Sequence, residues 1–265
     1  MTITLLTTLD EYSPLVRALR ATGHVDALVA TRESADSLRD ANVVMINWPY
    51  ILRQDFIDRQ RIVLNVHNSL LPRYRGRHAF TWAILNGERE LGFSLHVAVP
   101  DIDAGDVVST VRFPLGDDED VMTAFRRGEE ALLAWMPPAL TAWVRGELPR
   151  MPQDASQATY FRKRNDEDNW VSSFTEAARV RNLVRAVAPP YTAGAKCRGP
   201  RGEMLRIATA AFAGEAPATA PGTVLARDGA NVTITCGDCA LRLVIANAES
   251  LGDLQPGDQL VAGEP

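Results

Sequence analysis

Asn65, His67 and Asp103 are the residues of this chain whose types can do chemistry together. An imidazole exchanges a proton near neutral pH, a carboxylate orients and charge-stabilises it, and a side-chain amide donates to a developing oxyanion. The three lie in two short stretches: Asn65-Val66-His67-Asn68-Ser69-Leu70-Leu71-Pro72-Arg73-Tyr74-Arg75-Gly76 and Asp101-Ile102-Asp103-Ala104-Gly105-Asp106. Gathered in one pocket they suit acyl transfer without a covalent enzyme intermediate. Each part also has a purely structural reading. Asn-x-His after Ile62-Val63-Leu64 is a strand end with a satisfied histidine, Leu70-Leu71-Pro72 is core followed by a turn, and Asp-Ala-Gly-Asp is turn chemistry. Chemistry is favoured by their order, with each polar group just past an expected strand, where open α/β sheets bind ligands. Ser69 is two residues from His67 with no nucleophile-elbow glycines around it, which argues against a serine hydrolase.

The elements that must position these residues alternate. Residues 3–6, 27–30, 43–47 and 62–66 read as buried parallel strands. Residues 11–22 place Leu15, Val16 and Leu19 at helical spacing and stop at Gly23, and 77–86 read as a helix stopped by Gly87. Residues 93–99 and 107–113 add two strands around the Asp-rich loop. Residues 118–135 predict a helix with an acidic start, which Pro137-Pro138 should end or restart. This pattern predicts an α/β fold: an open, Rossmann-like, mostly parallel sheet with helices on both faces. After Pro189-Pro190, short strands at 204–209, 222–226, 232–236 and 241–245 are separated by Gly, Asp and Asn turns. They predict a small C-terminal antiparallel β domain, barrel-like in form. The expected division is 1–152, catalytic domain; 153–190, linker and helix; 191–265, β domain. Residues 153–159 are polar and small, as a linker would be.

The bulk values fit a globular chain with two domains: 265 residues, 46% hydrophobic and 23% charged. The formal net charge of −5 gives no global drive towards nucleic acid. The start Met1-Thr2-Ile3 lacks the basic segment of a signal peptide, no apolar run is long enough to cross a bilayer, and cysteines are three. A cytoplasmic protein without membrane or nucleic-acid partners is therefore expected. Cys236-Gly237-Asp238-Cys239 has CxxC spacing but no second pair or nearby histidine in sequence. It reads as a hairpin turn, and no metal is expected. No GxGxxG or GxxxxGK[ST] occurs, which leaves NAD and ATP without a fingerprint.

The ordered set Asn65-x-His67-x-Ser69-Leu70-Leu71-Pro72-x-Tyr74-x-Gly76, with Asp103 38 positions after Asn65 (103 − 65), resembles the folate-dependent formyltransferases. His96, in Phe93-Ser94-Leu95-His96-Val97, matches a second family histidine. Asn47-Trp48-Pro49-Tyr50-Ile51-Leu52 is similar to a pterin-lining segment. Tyr160-Phe161-Arg162-Lys163-Arg164 with Trp170, and 182–187, are similar to the segment after the catalytic domain of nucleotide-sugar formyltransferases. The late strands are similar to the C-terminal domain of methionyl-tRNA formyltransferases and their sugar-acting relatives.

The resemblance implies N10-formyltetrahydrofolate as formyl donor and a primary amine as acceptor. It implies Asn65, His67 and Asp103 as catalytic residues, and Asn47, Tyr50, Ile51, Leu52, Asp101, Ile102 and Ala104 as lining for the donor. It places Arg73, Tyr74, Arg75, His96, Tyr160, Arg162 and Arg164 towards the acceptor. The first acceptor implied is a nucleotide-linked amino sugar, of the kind used in lipopolysaccharide or natural-product biosynthesis, with a homodimer as the working form. The region between 30 and 42 is too short for the insertion by which methionyl-tRNA formyltransferases grip tRNA. A hydroxyornithine-type siderophore precursor or methionyl-tRNA is the alternative acceptor. An inactive scaffold with an interaction β domain is the alternative of another class.

Overall fold

The structure is a computed structural model that describes residues 1–263, so the last two positions of the expected 191–265 segment lie outside the described residues. In chain order its strands and helices are β1 (Ile3–Leu6), α1 (Pro14–Ala21), β2 (Val25–Val29), α2 (Arg32–Ser37), β3 (Asn42–Ile46), α3 (Gln54–Asp58), β4 (Ile62–His67), β5 (Arg75–Gly76), α4 (Ala79–Leu85), β6 (Glu90–Val97), β7 (Val107–Pro114), α5 (Val121–Val144), β8 (Tyr160–Phe161), α6 (Ala177–Ala186), β9 (Ala195–Arg198), β10 (Met204–Phe212), β11 (Val224–Asp228), β12 (Asn231–Thr235) and β13 (Ala240–Ile245). They fall into two compact units. One comprises residues 1–79, 90–114 and 126–162, the other 80–89, 115–125 and, of the described residues, 163–263.

The first unit is built on a six-stranded sheet of order β2-β1-β3-β4-β6-β7. β2, β1, β3 and β4 run parallel, and β6 is antiparallel to both β4 and β7. Alternate residues of a strand face opposite ways, and the apolar residues divide accordingly. Ile3, Leu5, Val44, Ile46, Leu64, Val66 and Leu95 pack with Leu15, Val16 and Leu19 of α1 and with Met136 and Leu140 of α5. Leu6, Val43, Met45 and Val63 pack on the other face with Ala35 of α2 and Phe56 of α3. The expected Rossmann-like layering, helices on both faces, is present.

α2 and α3 were not foreseen, because six and five residues are too few to display a helical period. α2 is legible only from its cap, where the Thr31 hydroxyl accepts the Ser34 N–H at 3.2 Å. α5 corrects an expectation: it runs unbroken through Pro137 and Pro138. Two prolines remove two N–H donors, which frees the carbonyls four residues back, on Leu133 and Ala134. Both of those residues are exposed, and the buried Met136, Ala139 and Leu140 hold the opposite face in place.

The second unit is built on a five-stranded antiparallel sheet of order β11-β12-β13-β10-β9. It is not a closed barrel. Isolated bridges join Val261 to Arg198 beyond one edge and Gln259 to Thr223 beside the other. The CxxC segment is the β12–β13 turn, closed by the Cys236 N–H on the Cys239 carbonyl at 2.7 Å, with all three cysteines free. Its Asp238 carboxylate accepts the Ala177 N–H at 2.9 Å and so caps α6. Among the described residues no helix is long and apolar enough to cross a membrane, and no group of three His, Cys, Asp or Glu could hold a metal ion.

Candidate active site

β4 reads Ile62-Val63-Leu64-Asn65-Val66-His67, so its apolar even positions face α1 and α5 while Asn65 and His67 follow Val63 onto the other face. Register then completes the cluster. β6 pairs with β4 so that His96 lies directly opposite Asn65 and Ser94 opposite His67. Ser94 ties down the loop after β4: its hydroxyl donates to the Ser69 carbonyl at 2.8 Å and accepts the Leu71 N–H at 3.1 Å. Both histidines are almost wholly buried.

The carboxylate arrives from the β6–β7 loop. Asp103 has a left-handed backbone (φ 52°), which Asp tolerates better than most residues. Gly105 permits the turn: a Cβ there would sit 2.0 Å from the Val97 carbonyl oxygen. Asp103 Oδ2 accepts the Gly76 N–H at 2.9 Å and stands 3.6 Å from His67 Nδ1, while Oδ1 stands 3.5 Å from His96 Nε2.

Hydrogen-bond logic fixes the protons. His67 Nε2 is 2.8 Å from the Tyr74 carbonyl, which can only accept, so Nε2 bears the hydrogen. The other nitrogen, Nδ1, therefore turns its lone pair towards Asp103 whenever the ring is neutral. His96 Nδ1 donates to the Val97 carbonyl at 3.0 Å, and when the ring is neutral its Nε2 accepts from Asn65 Nδ2 at 3.1 Å. That orients the Asn65 amide and leaves its second N–H for another acceptor. Burial lowers the His67 pKa, against the pull of Asp103. Burial also pushes the Asp103 carboxyl up, but His96, His67 and the Gly76 N–H together hold it at about 2. The site thus pairs a firmly ionised carboxylate with a neutral imidazole whose proton, once gained, is stabilised on the spot.

The other expected residues scatter. Tyr50, Ile51 and Leu52 line a cavity of about 250 Å³ with Trp48, Phe56, Arg32 and Arg53. Trp48 Nε1 there is buried without a hydrogen-bond partner. Asn47, Asp101, Ile102 and Ala104 are not among its lining residues. Asn47 instead bonds Thr8 through both its carbonyl oxygen and its side chain. Tyr74 is buried and stacks on Phe161 with ring centres 5.1 Å apart, beneath the exposed Arg73. Arg75 is buried and donates to Gln153 and to the Tyr160 hydroxyl, and Arg162 is exposed. Arg164 belongs to the second unit, stacked 4.8 Å over Trp82 and donating to the Asp168 carbonyl. Sequence reasoning missed the Gly76 N–H, the Tyr74 carbonyl and Gln153, and it held Trp48 only as part of the 47–52 segment. Main-chain donors and acceptors leave no mark in side-chain motifs, though Gly76 stood inside the motif itself.

An amide and two imidazoles on one face of an α/β sheet thus meet a carboxylate from the β6–β7 loop. The family model described as formyl transferase matches residues 9–140, and that of the formyl transferase C-terminal domain matches 164–258. The chain belongs to the formyl transferase family. Solved structures share its fold. A variant of HypX from Aquifex aeolicus is 22% identical with a TM-score of 0.67, over 96% of this chain and 49% of HypX, so the chain spans about half the length of that relative. The N-formyltransferase of Helicobacter canadensis, in complex with folinic acid and dTDP-3-aminofucose, is 14% identical over 92% and 99% of the two chains, with a TM-score of 0.71. WlaRD, a sugar 3N-formyl transferase solved in the presence of dTDP and 5-N-formyl-THF, is 13% identical over 93% and 98%, with a TM-score of 0.72.

Proposed function

We propose that this chain transfers a formyl group from N10-formyltetrahydrofolate to a primary amine, with a nucleotide-linked amino sugar as acceptor. The observation that carries the reading is the convergence of Asn65, His67, His96 and Asp103 within hydrogen-bonding or ion-pairing reach of one another. The donor would supply an electrophilic carbonyl carbon. In this reading the second N–H of Asn65 stabilises the oxygen as the amine attacks. His67 Nδ1 takes the proton the amine loses and returns it to the departing N10, so a C–N bond forms and a C–N bond breaks with no net proton change. Asp103 stabilises the transient imidazolium. The Trp48–Phe56 cavity suits the donor's heteroaromatic end, because an indole N–H with no partner calls for an acceptor. Tyr50, Ile51 and Leu52 would line that end, Asn47 stands just before them in the chain, and the loop of Asp101, Ile102 and Ala104 would meet the donor elsewhere. Arg73, Tyr74, Tyr160 and Arg162 would serve the acceptor.

The catalytic portion in this reading is 1–152, followed by 153–190 and the β domain from 191. The amino-sugar acceptor is supported by the ligands named for the Helicobacter canadensis enzyme and WlaRD and by the acidic balance of the chain, which disfavours tRNA. The reading also takes the enzyme to be a cytoplasmic homodimer, a state that analytical ultracentrifugation reads directly. Thermal-shift measurements with a folate and a panel of dTDP-, UDP- and GDP-amino sugars should show joint stabilisation by the folate and one nucleotide sugar. Stabilisation by methionyl-tRNA or hydroxyornithine instead would overturn the choice of acceptor. No response to any folate would overturn the donor.

A further inference from the structure

Gln153 sits where composition suggests a plain linker, yet both ends of its amide are spoken for. Its Nε2 donates to the main-chain carbonyls of Asp103 at 2.8 Å and Gly105 at 2.7 Å. Its Oε1 accepts from Arg75 Nε at 3.1 Å and Nη2 at 2.6 Å. A guanidinium only donates and carbonyls only accept, so the amide has one possible orientation. Arg75 is 3% exposed. Its remaining bond goes to the Tyr160 hydroxyl, and the Tyr160 ring lies 5.2 Å from its guanidinium carbon. No carboxylate pairs with it among the described residues. Pairing of β5 with β8 sets Arg75 opposite Tyr160, and a two-way bridge between Met151 and Val107 anchors the start of the 153–161 segment to β7.

The consequence falls on Asp103. Within its own loop the turn is held by little: the Ala104 N–H on the Asp101 carbonyl at 3.2 Å, and the Val97 N–H on the Asp106 carbonyl at 2.9 Å. The left-handed backbone of Asp103 is otherwise fixed from outside, its carboxylate by the Gly76 N–H and its carbonyl by Gln153. We infer that Gln153, braced by the buried Arg75, is a positioning residue that fixes the Asp103 turn and so aims its carboxylate at His67. Glutamine is suited to this place. Glutamate would pair with Arg75 but turn a negative oxygen on two carbonyls. Methionine has similar size but leaves both carbonyls unserved. Asparagine is one methylene too short to reach both partners.

The titratable groups facing His67 are Asp103 and, 6.4 Å away between ring centres, His96. The test compares Gln153→Met, the double variant Gln153→Met/Arg75→Met and Asp103→Asn with the unaltered protein. The double variant removes the buried charge together with its acceptor, so no guanidinium is left stranded. NMR titration of the His67 ring needs no substrate. Its midpoint should move to lower pH in both Gln153 variants, towards the Asp103→Asn value, because the carboxylate that favours the imidazolium is no longer held in place. The second readout rests on the proposed formyl transfer: kcat should fall about tenfold or more with KM changed less than about twofold. An unmoved His67 midpoint in the folded double variant would overturn the inference. If the unaltered protein transfers no formyl group, the proposed function fails, and the titration still decides the role of Gln153.

Discussion

The amide and the two imidazoles reach the site on strands, whereas the carboxylate reaches it on a loop, and the two deliveries rest on different physics. Asn65, His67 and His96 inherit their placement from strand alternation and from the β4–β6 register. Moving any of them means slipping a ladder whose other face is buried core. Asp103 has no ladder beneath it. Its direction depends on a left-handed residue, a glycine that no side chain can replace without a clash, a backbone donor from Gly76, and the Gln153 amide. Loss of a strand-borne group should therefore remove one chemical role and leave the architecture intact. Loss of a loop support should leave the chemistry present but misdirected.

The sharpest test of the strand-borne side is Asn65→Ala. If the amide stabilises the reacting oxygen, turnover should fall on the order of a hundredfold or more, about 3 to 4 kcal/mol of barrier. The His67 titration should hardly move, since His67 keeps Tyr74 and Asp103. Steady-state turnover with donor and acceptor measures the first, and near-normal turnover would take Asn65 out of the role.

On the loop-borne side, Asp103→Asn reads the carboxylate as a stability element. Its pKa is lowered from 3.8 to about 2, so its contribution is complete above 3.8 and is lost as the pH falls towards 2. By linkage the shift is worth about 2 kcal/mol at neutral pH. The lowered pKa of buried His67 acts earlier and in the same direction. As the pH falls below about 6.5 the unfolded chain takes that proton more readily, and stability declines. Urea unfolding at a series of pH values should show Asp103→Asn about 2 kcal/mol less stable at pH 7, with the gap narrowing below pH 4. A gap independent of pH would mean that the carboxylate is not held as an ion.

This contrast also explains what could be read before folding. The strand-borne residues were legible because alternation and motif spacing both survive in one dimension, and the six strands of the first sheet fell where the apolar runs stood. The loop-borne supports were less so. Gln153 lies 50 positions from Asp103, and nothing local distinguishes it from the polar residues that follow. β5 and β8 escaped notice because two-residue strands show no period, and β9 because Ala195-Lys196-Cys197-Arg198 contains no apolar run. The prolines of α5 misled for a related reason. A local rule predicts a break, but which side of the helix faces solvent is decided by packing against the sheet.

Gly105→Ala gives the smallest expected effect and separates the two kinds of support most cleanly. The atoms nearest the added methyl group belong to Val97 and Val99. The methyl meets the Val97 carbonyl at 2.0 Å, so the loop must retreat from the end of β6 while β4 and β6 keep their register. Asp103 then retreats with it, and the Gln153 bonds to Asp103 and Gly105 lengthen together. Turnover should drop about tenfold, about 1.4 kcal/mol of barrier. The His67 midpoint should shift to lower pH in proportion. If instead turnover drops with no change in that midpoint, the loop serves substrate by some path other than the carboxylate, and the separation between strand-borne and loop-borne groups fails at its weaker end.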